Sequence, residues 1–366
     1  MSHDYQHGIF IGRFQPIHKG HLKTIEKALE ECAELIILIG SAYRPSTVRN
    51  PWSADNRRLM ISKAIREYFG EVNGHWSDKL SEDSVLRRIK FAPLRDYLYN
   101  DYKWLAEVYT TARECGAQDG VHATVLYGSD KDDSSYYLKM FPHWTLKMQP
   151  LLHYNRVKGA VSSVHIRECW FEAVVEQSGM LGWIMPSTAK YLHVPNQYLI
   201  DEYNHYEDYR SEHEWVEKPY DPVFVTVDSL VIRSGCILVV KRGFHPGKGL
   251  YALPGGFLNS QERLKQSAIR ELREETKIVF PSGDTVKDWN ALLKDVQIFD
   301  HPMRSLRGRT ITHVHLFDMG IGSMPQVEGA DDAEKAFWMP IGDVSRNEDR
   351  WFEDHYDIIV QMTSKY

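Results

Sequence analysis

Two α/β domains in one chain are what this sequence predicts, and three observations predict them. The chain has 366 residues, and at roughly 150 residues per domain that length suggests two cores. Its first forty residues pass from an apolar run through a helical pattern to a second apolar run, which is a βαβ unit and implies a parallel sheet. Beyond an aromatic, acidic stretch, two further β-rich runs are joined by a short turn, the pattern of a hairpin.

Each element has its own justification. HGIFIG is the first strand, and in HLKTIEKALEE the residues Leu22, Ile25 and Leu29 recur at helical spacing. LIILIG at 35–40 is the second strand, and ATVLYGSD at 123–130 is a later buried strand ending in a polar loop. In open parallel sheets ligands bind at the carboxyl ends of the strands, where GRFQP and GSD fall. From about 186 to 220 the chain is rich in tyrosine, acidic residues and proline with no clean periodicity. The linker is placed there, at 186–215, between a domain over 1–185 and another over 216–366. FVTVDSLVI and CILVVKR then flank Arg233, Ser234 and Gly235 as hairpin strands. There is no internal repeat.

Composition narrows the function. The chain is 43% hydrophobic and 26% charged, ordinary for a soluble globular protein. A formal net charge of −6 argues against a general nucleic-acid binder, while local arginines and helix N-termini still admit small anions. Cys32, Cys115, Cys169 and Cys236 show no C-x-x-C spacing, so neither zinc nor a disulfide framework is indicated. The start MSHDYQHG lacks a basic segment followed by an apolar run, and Leu35 to Ile39 is too short to span a bilayer. The expectation is a cytoplasmic protein with no membrane or nucleic-acid partner, its oligomeric state open and a homo-oligomer among the options.

Two stretches carry chemistry. In GRFQPIHKGHL at 12–22, His18-Lys19-Gly20-His21 stands at the mouth of the first helix. Unpaired backbone N–H groups and the helix dipole favour a phosphate there. Two imidazoles can add hydrogen bonds, and Gly20 lets the backbone approach closely. Positioned donors of this kind lower the barrier to phosphate attack on a nucleoside triphosphate without a covalent intermediate.

In GGFLNSQERLKQSAIRELREETKI at 255–278, a helix brings Glu271, Glu274 and Glu275 to one face at i, i+3 and i+4. Like charges so spaced cost an isolated helix roughly 0.2–0.5 kcal/mol per pair. Hard divalent cations with oxygen ligands reverse that repulsion. Such a cluster can hold Mg²⁺ against a diphosphate and activate a water.

GRFQPIHKGH resembles the signature of the nicotinamide mononucleotide (NMN) adenylyltransferases, and three later segments extend the likeness. NPWSADNRRLMI at 50–61 resembles the segment after the second strand, which implies NMN contacts from Asn50, Trp52 and Arg57. DYLYNDYKWLAEV at 96–108 resembles the stretch that stacks an aromatic on nicotinamide, here Trp104. VSSVHIRE at 161–168 is similar to I-S-S-T-x-x-R, with Val164 where threonine is usual. The resemblance implies an ATP site of Gly12, Arg13, Phe14, His18, His21, Ser162, Ser163 and Arg167, with His18, His21 and Arg167 catalytic.

The second stretch resembles the Nudix box, G-x5-E-x7-R-E-U-x-E-E-x-G-U with U aliphatic, everywhere except Lys277, where the family has glycine. A left-handed helix end suits glycine, and lysine adopts it at a cost. The resemblance implies Gly256, Glu262 and Arg270 as framework, Glu271, Glu274 and Glu275 as metal ligands, and Glu274 and Glu275 as catalytic. FDHPMRSLRGRTITHVHLF at 299–317 resembles the strand after the box in ADP-ribose pyrophosphatases, so Arg304, Arg307 and Arg309, with Arg242, are offered to ADP-ribose.

Together these imply a Rossmann-like nucleotidyltransferase domain with a parallel sheet, then an α/β/α Nudix domain with a mixed sheet. The substrates would be ATP, NMN and ADP-ribose, with Mg²⁺ as the cofactor and Mn²⁺ also accepted. Two other readings stay open: a second domain that senses nucleotides without cutting them, and a first domain that adenylylates another phosphate.

Overall fold

The computed structural model describes residues 3–71, 82–120, 123–129, 133–153, 160–172, 180–192, 195–212, 222–285 and 287–364. The chain divides into two compact units, Met1–Ile200 and Asp201–Tyr366.

In the first unit, strands β1 (Tyr5–Gly12), β2 (Cys32–Ile39), β3 (Ile89–Pro93), β4 (Thr124–Gly128) and β5 (Thr145–Met148) form one sheet in the order β3-β2-β1-β4-β5. Every pairing is parallel. The period of two along each strand decides which core a side chain joins. Phe10, Leu35 and Ile37 join Leu22, Ile25 and Leu29 of helix α1 (Lys19–Glu31) and Met60, Ile61 and Ile65 of α2 (Ala54–Glu71) in one cluster. Ile9, Ile11, Ile36 and Leu38 belong to the other, with Val108 and Ala112, which follow the short α3 (Glu82–Arg87) on α4 (Asp101–Glu114). Helices thus cover both faces, the arrangement that makes near-continuous apolar strands stable. Each fully buried leucine or isoleucine contributes about 1.5–3 kcal/mol.

Chain reversal between β1 and β4 opens a crevice at their carboxyl ends. The 12–18 loop lies there, and so does α5 (Ser163–Phe171) through its bonds to Gln15 and Pro16. Asp130 of the GSD loop lies outside the described residues.

The stretch expected as linker holds helices α6 (Pro186–Ala189) and α7 (Gln197–Glu212). The division at 200/201 falls within α7; residues 193–194 and 213–221, with the expected boundary at 216, lie outside the described residues. Periodicity in α7 is masked because two of its buried positions are polar in part or whole, Glu202 and Tyr206.

The second unit is built on a seven-stranded sheet. Its strands are β6 (Val223–Arg233), β7 (Cys236–Arg242), β8 (Tyr251–Ala252), β9 (Gly255–Phe257), β10 (Leu293–Phe299), β11 (Arg309–Asp318) and β12 (Ala333–Pro340). The central order is β10-β11-β6-β7-β12, with β8 on β7 and β9 on β6. β11 runs parallel to β6 and the other pairings are antiparallel, so the sheet is mixed as expected. The hairpin turn is Ser234-Gly235, both at positive φ (48° and 75°), which suits the strand twist of a two-residue loop.

Helix α8 (Leu264–Thr276) buries Ala268 and Leu272, the latter in a core with Val231, Leu238, Val240 and Phe317. A short α9 (Trp289–Leu292) and the C-terminal α10 (His355–Met362) complete the unit. No helix among the described residues is long and apolar enough to cross a membrane.

Candidate active sites

The first site begins with a helix start that caps itself. His18 N-caps α1: the His21 amide donates to His18 Nδ1 at 3.4 Å, and the His18 amide donates to His21 Nδ1 at 3.3 Å. The two rings stack with centroids 3.6 Å apart. An Nδ1 that accepts from an amide carries no proton, so in each neutral ring the N–H is at Nε2. Gly12 is required just upstream, since a Cβ there would lie 2.9 Å from the Phe14 ring, and Phe14 itself sits at φ 50°.

Helix α5 is tied to this loop. Ser162 caps it by accepting from the Val164 amide, Ser163 Oγ donates to the Pro16 carbonyl at 2.8 Å, and Arg167 Nη1 donates to the Gln15 carbonyl at 2.5 Å. Burial, with Arg13 and Arg49 close by, pushes the Arg167 guanidinium down to about 9. A buried cation with two more cations beside it marks a place where an anion would relieve both desolvation and repulsion. Arg13 and Arg49 stand near Arg167, and Ser163 and Arg167 are tied to the loop that leads to His18; Arg49 is not among the residues the sequence singles out.

The residues offered to the mononucleotide divide. Arg57 is 1% exposed, and its guanidinium donates to the carbonyls of Arg13 (2.7 Å), Gly40 (2.6 Å), Ser41 (3.1 Å) and Ser53 (3.3 Å). Four of its five N–H donors close the carboxyl ends of β1 and β2, so it frames the site. Trp52 is also buried: it stacks on Trp170 at 4.8 Å, and its backbone exchanges two hydrogen bonds with the Gln15 amide. Trp104 is half-buried, edge-on to Tyr137 and Phe141. Asn50 Oδ1 is buried and accepts no hydrogen bond from the described residues.

The second site follows from one close approach. A Cβ on Gly256 would stand 2.6 Å from Glu271 Oε1, so only glycine lets that carboxylate lie against β9. Beside it the Gly255 amide donates to Glu275 Oε2 at 3.0 Å. Burial, with Glu271 and Asp228 adding to it, pushes the Glu275 carboxyl up to about 8 against the pull of the amide and Arg242. Burial raises Glu271 as well, against Arg270.

Arg270 organises the outer side. It grips Glu262 with two hydrogen bonds (2.8 and 3.0 Å), reaches Glu274 at 2.8 Å and Glu271 at 2.9 Å. Glu271 and Glu275 lie against the Gly255-Gly256 strand, and Arg270 pairs with both Glu271 and Glu274. Among the described residues no group of three His, Cys, Asp or Glu side chains is close enough to hold one ion. Two buried carboxylates that each raise their own proton affinity nevertheless fit a divalent cation, which would replace the proton at both.

Lys277 takes the left-handed conformation (φ 47°, ψ 29°) that the missing glycine would have taken, and its amide still closes the helix on the Arg273 carbonyl.

All four arginines offered to ADP-ribose have partners within the second unit. Arg304 and Asp354 form a bidentate pair at 2.9 Å, both fully buried, so the Arg304 fork is unavailable to a ligand. Arg309 bonds the Asp300 carbonyl and closes the loop between β10 and β11. Arg242 donates to the Pro246 carbonyl at 2.7 Å and lies near Glu275, and Arg307 pairs with Glu353 at 3.4 Å. Arg242 lies 4.2 Å over the Phe352 ring, and Arg307 lies 5.8 Å over the same ring and 5.1 Å over Phe257. Burial and the neighbouring Arg307 lower the Arg242 guanidinium, with Glu353 and Glu275 opposing.

Known proteins match along the same division. A cytidylyltransferase-like family model matches residues 9–92, and a NUDIX domain model matches residues 223–362. The nicotinamide/nicotinic acid mononucleotide adenylyltransferase of Acinetobacter baylyi is 34% identical over 170 residues, covering 46% of this chain and 78% of that protein. The nicotinamide-nucleotide adenylyltransferase of Sulfurisphaera tokodaii is 30% identical over 168 residues, 45% of this chain and 84% of that protein. A bifunctional NMN adenylyltransferase/ADP ribose pyrophosphatase from Francisella tularensis matches 99% of both chains at a TM-score of 0.82 and 33% identity. The crystal structure of such a protein from the same organism with AMP and a manganese ion gives 0.80 and 32%, again over 99% of each chain.

Proposed function

Starting from the premise that the chain belongs to the family of bifunctional NMN adenylyltransferase/ADP-ribose pyrophosphatases, we propose that its two units make and cut phosphoanhydrides on related substrates. The first transfers AMP from ATP to NMN, giving NAD and pyrophosphate. The second hydrolyses ADP-ribose to AMP and ribose 5-phosphate.

In the first reaction a phosphate oxygen of NMN attacks the α-phosphorus of ATP, one P–O bond forms, and the bond to the β-phosphate breaks. That nucleophile is ionised at neutral pH and needs no general base. The chain's task is to hold charge. His18 and His21 donate from Nε2, Arg13 and Arg167 supply fixed cations, and the first amides of α1 face the phosphates. Such donors act on charge that grows in the transition state. Trp104 and the buried Asn50 Oδ1 are the groups offered to nicotinamide, while Arg57 and Trp52 hold the walls.

In the second reaction water attacks phosphorus and a P–O–P bridge breaks. Glu271 and Glu275 would hold a divalent cation, Mg²⁺ with Mn²⁺ also accepted, which supplies charge neutralisation and an acidified water when bound. Arg270 and Glu262 fix the helix that presents both carboxylates, and Arg242 and Arg307 face the phosphates.

The observation that carries this reading is electrostatic: one site gathers cations about a helix start, and the other buries carboxylates against a glycine strand. The test is a product assay on the intact protein with Mg²⁺, offering NMN plus ATP in one tube and ADP-ribose in another. NAD in the first and AMP in the second are expected. No NAD removes the nicotinamide assignment, and intact ADP-ribose removes the hydrolytic one. Trp104→Ala is expected to raise the KM for NMN far more than that for ATP; equal effects would place Trp104 in the core alone.

A further inference from the structure

The loop between β7 and β8 closes on a single residue. Arg242 ends β7; its amide donates to the Leu250 carbonyl at 2.9 Å, and the Gly249 amide donates to the Arg242 carbonyl at 2.8 Å. At the tip of the same loop, the Pro246 carbonyl accepts from Arg242 Nε at 2.7 Å. Main chain and side chain of Arg242 are thus both anchored by residues 246–250, so the seat of the loop decides where the guanidinium points.

The tip is held in turn by α7. Glu202 is 1% exposed, and its Oε1 accepts from the Gly247 amide at 2.6 Å and lies 2.5 Å from His245 Nδ1. These two contacts bracket Pro246. Burying a carboxylate is costly unless hydrogen bonds replace its water, and those of Glu202 go to the loop. On its other side the loop presses on Phe352: a Cβ on Gly247 would lie 2.2 Å from that ring. Phe352 is also the ring that Arg242 lies over.

Nε is only one corner of the guanidinium fork. Among the described residues, Nη1 and Nη2 of Arg242 make no hydrogen bond. The charges that act on this group are Arg307, Glu353 and Glu275. A two-pronged edge recognises a phosphate only when its plane is fixed. We propose that Glu202 is a positioning residue of the hydrolytic site: by clasping the tip of the β7–β8 loop it sets the Arg242 guanidinium so that its Nη edge meets the diphosphate of the nucleotide. Glu202 touches neither substrate nor cation and acts through His245, Gly247 and Pro246. The proposal rests on the hydrolytic reading for its substrate, and it gives α7, the stretch read from sequence as linker, a part in the second site.

The test uses the full chain. Arg242→Met removes the guanidinium and Glu202→Ala releases the loop. Each is expected to raise the KM for ADP-ribose about tenfold. The kcat should stay within about twofold, because a contact made equally in ground and transition states leaves it alone. In the double variant the KM should rise no further than in Arg242→Met, since residues that act as a unit do not combine independently. Glu202→Gln keeps an oxygen for the Gly247 amide and is expected to recover most of the loss. Should the wild type leave ADP-ribose intact, the same chains are compared by their Kd for ADP-ribose, measured by calorimetry with Mg²⁺ present. The hydrolytic reading then falls alone, and the clasp is upheld if the Kd values follow the pattern set out for KM and overturned if they do not. A kcat loss at unchanged KM in Glu202→Ala, the mark of a smaller folded fraction, would overturn the proposal, and so would KM effects that multiply in the double variant.

Discussion

The two candidate sites, both proposed to take a phosphate chain, have opposite electrostatic designs. Around α1 and α5 the chain buries positive charge: Arg167 is pushed down to about 9 while Arg13 and Arg49 stand near it. Against β9 it buries negative charge: Glu275 is pushed up to about 8 with Glu271 and Asp228 adding to the strain. The difference teaches how each reaction obtains its charge. Transfer between two phosphates has an anionic nucleophile in hand and draws on donors fixed around the transferred group. Hydrolysis starts from neutral water and needs a cation, which buried carboxylates recruit.

Removal of divalent cation presses hardest on this contrast. Chelation is expected to lower ADP-ribose hydrolysis roughly a thousandfold. Mg²⁺ or Mn²⁺ should restore it and raise the melting temperature of the second unit, because binding to the native state alone stabilises it. A melting temperature that ignores cation would remove Glu271 and Glu275 as ligands.

A smaller effect separates two arginines of the first unit. Arg167→Met is expected to slow NAD formation roughly a hundredfold with modest loss of stability. Arg57→Met should do the reverse, costing about 2 kcal/mol by leaving the carbonyls of Arg13, Gly40 and Ser41 without their donor. Thermal melts beside steady-state rates would distinguish them, and a rate loss without a stability loss in Arg57→Met would restore its ligand role.

What the sequence revealed follows from locality. H-x-G-H and the Nudix box are short runs whose spacing alone fixes a helix start or a helix face, so both sites were visible. Arg57 was misjudged because its partners are backbone carbonyls up to 44 residues away, and a carbonyl leaves no mark in a sequence. Arg304 failed similarly: its partner Asp354 is 50 residues on. Within the box, spacing alone places Glu271, Glu274 and Glu275, while the pairing of Arg270 with Glu271 and Glu274 depends on side-chain geometry that spacing does not specify. α7 hid because Glu202 occupies a buried position where a helical pattern calls for an apolar residue.

The pH dependence of the second unit should rest on a third kind of burial. His355 Nδ1 accepts from the Leu253 amide at 2.9 Å. Burial lowers its pKa, with Asp228, Asp354 and Glu353 opposing and Arg304 adding. A base whose folded pKa is depressed binds fewer protons in the native state. Its contribution is complete above about pH 6.5 and is lost as pH falls towards the folded value. Between pH 7 and 5 this loss opposes the gain from the raised Glu275 carboxyl, so His355→Asn should make the stability of the second unit more favourable as pH falls, by up to about 1.4 kcal/mol per pH unit relative to the parent protein. An unchanged slope would mean that other groups carry it.

The smallest effect concerns Lys277. Glycine pays no steric penalty in the left-handed region, where other residues lose roughly 1–2 kcal/mol, offset partly by its own chain entropy. Lys277→Gly is expected to stabilise the second unit by about 1 kcal/mol with hydrolysis unaltered, as a thermal melt would register.

The account stands on two independent sites of opposite charge, and crossing the variants tests that directly. NAD formation and ADP-ribose hydrolysis would be measured on His18→Ala, Glu275→Gln and the double variant. Each single change is expected to silence one reaction, leave the other within about twofold, and combine without interaction, as separated sites do. A single substitution that costs both activities would contradict it.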